Sequence, residues 1–372
     1  MSTAAESGAA TLFLCGDVMT GRGIDQILAH PGRPELFEPY VHWAPDYVEL
    51  AERESGKIAF PVDDAYIWGD ALAVLDEFRP SARIINLETA VTASDEPWPG
   101  KSIHYRMHPA NIGALAAARP DCCVLANNHV LDWGRRGLEE TLETLAAAGL
   151  PWAGAGRNRA EAEAPACIPL GDRRLLVFAY GVESSGVPPE WAATDERSGV
   201  TWLADLSPEA LATILATVAA HRKTGDLVAA SIHWGGNWRY AVTRQERHFA
   251  HQLVDGGVDL VHGHSSHHPK GIEVYRDRLV IYGCGDFLND YEGIGSYRSY
   301  RPDLALMYFP ILDGASGRLL QLSLVPMRIS RLSVNRAPEE GVAWLQGMLD
   351  REGLPFGTRV DRSRDRLVLR WQ

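Results

Sequence analysis

The chain has few cysteines, no surplus of basic charge and no long apolar run, and each shortage removes a class of protein. Its five cysteines are an odd number without CxxC spacing, and Cys122 and Cys123 stand side by side in an apolar segment. That pattern argues against a secreted disulfide framework and predicts reduced, buried thiols. Lys and Arg number 36 against 48 Asp and Glu, a net charge of −12. With no basic stretch to neutralise phosphates, nucleic acid is excluded as a partner. No apolar segment reaches the roughly 18–20 residues that span a bilayer, and Met1–Ser7 has neither the basic nor the apolar part of a signal peptide. The expectation is a cytoplasmic protein with no membrane partner. Low-complexity tracts, internal repeats and linkers are missing as well.

What is present suits a layered α/β fold. Hydrophobic residues make up 46% of 372 positions, ample for a sizeable core. Short β-rich runs at Thr11–Cys15, Arg83–Leu87, Cys122–Ala126, Leu175–Tyr180, Leu227–Ile232 and Val258–Val261 alternate with helical patterns. Helices are predicted over Gly137–Ala148, from Ser207-Pro208-Glu209 onward, and from Thr243 to about Val254. Two hairpins follow, Glu273–Tyr275 with Leu279–Tyr282 and Leu304–Leu312 with Leu319–Met327, so the later sheet is expected to be antiparallel. Residues 1–372 read as a single domain, with a loop-rich insertion or lid at 29–68 and a C-terminal helix and strand extension at 337–372.

The chemistry-bearing residues lie just past strand ends, the edge where ligands of α/β sheets bind. Asp17 follows the first run and Glu88 the second; Asn128 and His129 follow the third, His233 the fifth, and His264 and His267 the sixth. The stretch His262–His268 holds four histidines in seven residues, a density with little packing rationale. Carboxylates, imidazoles and one amide oxygen together suit Mn, Zn, Fe or Mg, and not a thiolate-loving site. Taken singly, most of these residues have plainer explanations. Asp17 and Asn127-Asn128 would be turn residues, Glu88 a cap or surface carboxylate, and His233 a core histidine beside Trp234. His248 and His251, one helical turn apart, lack a third ligand and read as surface or packing groups. Gly16–Gly23 hints at anion binding without the spacing of a P-loop.

As an ordered set the motifs resemble the CapA family, named for poly-γ-glutamate capsule synthesis. The matching pieces are Gly16-Asp17-Val18-Met19, Asn86-Leu87-Glu88, Ala126 to Gly134, His233-Trp234-Gly235, Gly263 to His267 and Tyr282 to Phe287. The resemblance implies a calcineurin-like metallophosphoesterase fold, a two-sheet β-sandwich flanked by helices, with a one- or two-metal centre at the strand ends. By motif it makes Asp17, Glu88, Asn128, His233, His264 and His267 ligands of a divalent cation (Mn, Zn, Fe, Mg or Ca), and His129 an acid/base group oriented by Asp132. His268 or Asp286 is the candidate for a second base. Two departures weaken phosphate chemistry: Asp17-Val18-Met19 lacks the histidine of an Asp-x-His opening, and Asn86-Leu87-Glu88 lacks the arginine of the usual second motif. Soluble members of the family in lasso-peptide pathways invert a C-terminal tryptophan. Similarity to them implies a metal-dependent, cofactor-free epimerase acting at the Cα of a ribosomal precursor peptide. The alternatives are a metallohydrolase of phosphoesters or amides, including poly-γ-glutamate, and a non-catalytic metal-binding scaffold.

Overall fold

The computed structural model describes residues 8–372, so Met1–Ser7 lies outside the described residues. Six strands carry the motifs: β1 (Ala9–Val18), β2 (Ala82–Leu87), β3 (Cys122–Val124), β4 (Leu227–His233), β5 (Leu260–His264) and β6 (Asp286–Leu288). The first three and β6 belong to a ten-stranded sheet, while β4 and β5 belong to a seven-stranded one. Within the first sheet β1 runs parallel to β2 and to β6, and β2 parallel to β3. Strands β4 and β5 are parallel in the second sheet, with His233 beside His264. Two-sided burial explains why these segments are strands: every residue of β4 and β5 is buried, their polar members Ser231, His233, His262 and His264 included, as in sheets covered on both faces.

The two sheets pack face to face with helices outside. Phe13, Phe287, Phe309 and Trp68 fill the interior on the β1 side. A separate cluster around Phe178, Phe249, Trp234 and Tyr282 seats helices on the outer face of the second sheet. The helix Arg244–Asp255 is held at its start by a capping box in which Thr243 and Glu246 exchange hydrogen bonds, a device contributing about 1 kcal/mol. Pro208–His221 begins on an N-cap from Ser207. Gly134–Ala147 starts earlier than its apolar spacing predicts, because Gly134 at φ +69° turns the chain directly into the helix. Both expected hairpins form antiparallel pairs, Ile272–Tyr275 with Arg278–Ile281 and Leu304–Asp313 with Leu319–Ile329.

The 29–68 stretch contains a helix, Pro45–Ser55, and otherwise mostly irregular backbone. After residue 337 come the helix Glu339–Gly353 and an antiparallel pair, Thr358–Ser363 with Arg366–Trp371, which extends the ten-stranded sheet. The cysteines are all free, but Cys167 is exposed and departs from the buried expectation. It sits on the strand Ala166–Leu170, whose neighbour is the Arg173–Val182 strand and whose residues alternate between inside and solvent.

Candidate metal centre

The carboxyl ends of β1, β2, β4 and β5 and the start of β6 meet where the two sheets join. Glycine permits that meeting: a Cβ on Gly16 would fall 1.8 Å from the Gly285 carbonyl oxygen, and one on Gly21 would fall 2.8 Å from the Arg106 nitrogen. These glycines of the first motif serve close backbone approach, which accounts for them without a phosphate loop. Asp17 thereby comes to lie between two clusters of donors. One is Asp17, His233 and His264; the other is Asp17, His267 and Asp286. In each, one atom from every side chain lies within 4.8 Å of the others, and all are buried.

A hydrogen-bond relay fixes which imidazole nitrogens face inward. His262 Nε2 lies 2.8 Å from the Cys15 carbonyl oxygen, which only accepts, so His262 donates from Nε2. Its Nδ1 then accepts from the Ser231 hydroxyl at 2.9 Å. With that hydrogen committed, Ser231 Oγ accepts from His264 Nε2, also at 2.9 Å. In a neutral ring this leaves the His264 Nδ1 lone pair bare. His233 donates from Nε2 to Asn128 Oδ1 at 3.0 Å, which bares its Nδ1 as well. The two bare nitrogens are 2.7 Å apart. Burial holds both rings well below the ordinary histidine pKa, so neither offers a proton to separate them. Two facing lone pairs beside Asp17, whose Oδ2 is buried without a partner, need a cation. The donor set therefore fits a divalent metal ion.

Neighbouring amides order the carboxylates. Asn86 Nδ2 donates to Asp17 Oδ1 at 2.7 Å and to Glu88 Oε2 at 3.2 Å. Asn127 in turn donates to Asn86 Oδ1 and the Leu87 carbonyl, while its own Oδ1 accepts from the backbone of His129 and Val130. Burial first, then Asp286, pushes the Asp17 carboxyl up to about 7. Glu88 is also raised, by burial and then by Asp17. Glu88 Oε1 stands 3.8 Å from His129 Nε2 and 3.9 Å from His233 Nε2.

Next to these groups His129 Nδ1 meets Asp132 Oδ2 at 2.7 Å, and the Tyr105 backbone N–H donates to the same oxygen at 2.6 Å. Lys101 Nζ lies 3.0 Å from Asp132 Oδ1 and 3.2 Å from His129 Nδ1. Burial, then Lys101, holds His129 well below the ordinary range, while burial raises Asp132 to about 6. On the other side His267 Nδ1 contacts Asp286 Oδ1 at 2.8 Å, and Asp286 Oδ2 accepts from Asn289. Burial lowers the His267 pKa, but the Asp286 charge and hydrogen bond outweigh it, and the net shift is upward. His268 donates from Nδ1 to the Pro269 carbonyl, its Nε2 is buried without a partner, and burial brings it down to about 4. Tyr240 and Tyr300 flank its ring.

All ten expected site residues thus fall around one region, with Asp286 in a donor cluster and not only beside the second base. His262 serves the relay. His251 stacks on Tyr275 and pairs with Glu273, and His248 is exposed, so both lie outside the site. Sequence reasoning missed Ser231, Asn127, Asn289 and Lys101 as supporting groups. Asn127 stands inside the Ala126–Gly134 motif and Ser231 one residue before the end of an apolar run, so both carried some signal; Lys101, in an irregular loop, carried none.

Buried donor clusters at the strand ends of a two-sheet α/β sandwich define a calcineurin-like metal-binding fold. Residues 11–291 match the family described as bacterial capsule synthesis protein PGA_cap, and the chain belongs to that family. It is 47% identical to a probable polyglutamine synthesis accessory protein of Mycobacterium tuberculosis, across 96% of this chain and 95% of that one. It is 24% identical to the capsule biosynthesis protein CapA of Bacillus anthracis over 86% of this chain and 67% of the relative. The PGA biosynthesis protein CapA of Bacillus subtilis is also 24% identical, over 82% of this chain and 68% of that one.

Proposed function

We propose that this protein is a metal-dependent acid/base enzyme that exchanges the Cα proton of a peptide or amino-acid polymer and so epimerises that centre. The observation that carries the reading is the His129–Asp132 pair at 2.7 Å, buried beside Glu88 and the donor clusters. A site that only held a metal would need ligands and no oriented imidazole. Since Nδ1 of His129 donates to Asp132, Nε2 is free to take a proton. Asp132 remains ionised through Lys101 and the Tyr105 N–H, and it stabilises the imidazolium that results. His268, neutral with an unpartnered Nε2, is the second candidate group.

Asp17, His233 and His264, with Asn128 and Glu88 adjacent, would hold one divalent ion, and Asp17, His267 and Asp286 a second. A cation bound there supplies Lewis-acid polarisation of a substrate carboxyl or carbonyl. Peptide substrates are favoured over phosphoesters by the cations nearby. Arg22 is taken up by Asp290 and Glu38, and Lys101 by Asp132, so neither is free for phosphate. The relatives named for polyglutamine and PGA synthesis point to amino-acid polymers in the same direction.

The test is incubation with Mn or Zn in D₂O of two substrates, a glutamate oligomer and a tryptophan-terminated peptide of the lasso-precursor kind. The expected result is a single deuterium at Cα without chain cleavage, lowered about 100-fold or more by Asp132→Asn. Release of amine or phosphate with no Cα deuterium would overturn the reading in favour of hydrolysis.

A further inference from the structure

Tyr105 and Tyr291 join the His129 side of the site to the His267 side. The Tyr105 ring stands edge-on to that of His129 at 4.5 Å, and the Tyr291 ring edge-on to that of His267 at 5.4 Å. Their hydroxyl oxygens are 3.0 Å apart. Each tyrosine is fixed to its own side through the backbone: the Tyr105 N–H donates to Asp132, and the Tyr291 N–H donates to Asn289 Oδ1, whose amide donates to Asp286. Arg22, held between Asp290 and Glu38, lies with Cζ 4.5 Å from the centre of the Tyr105 ring and 5.7 Å from that of Tyr291. Both phenols are thus seated on a guanidinium that is itself pinned.

Two phenols bring two hydrogens, and only one of these can lie between the two oxygens. If Tyr291 donated to Tyr105, the Tyr105 hydrogen would have no acceptor among the described residues. In the other sense Tyr105 donates to Tyr291, and the Tyr291 hydrogen is directed at Met19 Sδ, 3.8 Å away. A thioether is a weak acceptor, so one O–H of the pair stays uncommitted beside the donor clusters. Burial raises both phenols, which keeps them protonated, as donors and not bases. Met19 is buried and stands where an Asp-x-His opening would carry its imidazole. Its N–H donates to the Leu288 carbonyl at 2.9 Å, which sets the segment carrying Tyr291 against this position. A hydrogen-bond donor therefore lies where the usual opening motif would supply a ligand.

We propose that the Tyr291 hydroxyl, oriented by Tyr105, donates a hydrogen bond to the substrate oxygen on which negative charge develops. The inference rests on the Cα-exchange reading above and adds to it the group that stabilises the intermediate. As the Cα–H bond breaks, its proton passes to His129 Nε2 and its electron pair forms a double bond to the carbonyl carbon, whose C=O pair moves on to oxygen. That oxygen is a far stronger acceptor than a thioether. The Tyr291 hydrogen bond therefore strengthens as charge builds, which lowers the barrier and does not merely bind substrate. Tyr291 touches substrate in this scheme, and Tyr105 is a positioning residue.

The probe is oxalate, whose planar dianion resembles the enediolate formed when the Cα beside a carboxyl loses its proton; acetate, an ordinary carboxylate, is the control. Calorimetry on the Mn-loaded full chain should show oxalate binding weakened at least about tenfold by Tyr291→Phe, with acetate binding and Mn affinity within about twofold of wild type. Tyr105→Phe removes only the orienting donor and should weaken oxalate less. Both substitutions keep the ring against its histidine. On a substrate that exchanges, Tyr291→Phe should lower kcat about 100-fold with KM nearly unchanged. The wild-type protein gives a second reading that needs no variant to fold, a tyrosine difference absorption on adding oxalate. No such absorption, or wild-type oxalate affinity in a Tyr291→Phe protein that holds Mn, overturns the assignment. Loss of Mn affinity in step with oxalate affinity overturns it too, because Tyr291 then only supports the metal site. Absence of Cα exchange by the wild type, with the Tyr291-dependent oxalate preference intact, sinks the epimerase reading and leaves the hydroxyl as the donor to the oxyanion of another reaction.

Discussion

Replacing Ser231 by alanine tests the relay that prepares the metal centre. The hydroxyl is the link between His262 Nδ1 and His264 Nε2, each 2.9 Å away, and both rings are buried. Removing it touches no ligand and adds no bulk. It leaves two buried ring nitrogens without a partner, at a cost of about 1–3 kcal/mol for each unsatisfied group. Part of that cost is recovered when His264 rotates or changes tautomer, and either adjustment takes its Nδ1 lone pair out of line with His233. Loss of an outer partner of a ligating histidine typically lowers metal affinity about 10- to 100-fold, equivalent to about 1.4–2.7 kcal/mol. Competition against a chromophoric chelator gives the Mn or Zn dissociation constant, and a thermal melt of the metal-free protein gives the stability loss separately. Metal affinity within about twofold of wild type in a folded Ser231→Ala protein would refute the assignment of His264 Nδ1 as the inward-facing atom.

Two further outcomes follow from the same geometry. Asn127→Ala frees the backbone N–H groups of His129 and Val130 and the amide of Asn86; it should destabilise the protein by about 2–4 kcal/mol, read as a shifted urea midpoint, and an unchanged midpoint would refute it. The Asp17 carboxyl is raised from 3.8 to about 7, chiefly by burial, so between those values the folded metal-free chain keeps a proton that the unfolded chain releases. Its contribution is therefore largest at low pH and is lost as pH rises through about 7. A bound divalent cation takes that proton's place, so the gain in Tm on adding Mn should grow from about pH 5 to 8. A metal increment that shrinks over this window would contradict the placement of Asp17 between the donor clusters.

The sequence by itself determined the order of the strands, the residue types at their ends and the family to which the chain belongs. Strand ends were legible because two-sided burial makes β4 and the start of β5 mainly apolar up to His233 and His262. The hairpins after residue 270 were legible for a similar reason, since short polar turns separate their apolar runs. Tertiary structure alone decided how the donors divide. Nothing in residue spacing places Asp17 between two clusters, because that depends on β1 pairing with β2 and β6 while β5 approaches from the other sheet through His262 and the Cys15 carbonyl. Lys101 was invisible for the same physical reason. It sits on an irregular segment, where contacts are set by what packs against it and not by a repeating backbone geometry. His262–His268 shows both kinds of information at once: its density of imidazoles marks a metal site in the sequence, and only the fold sorts them into a relay, two donors and an unpartnered base.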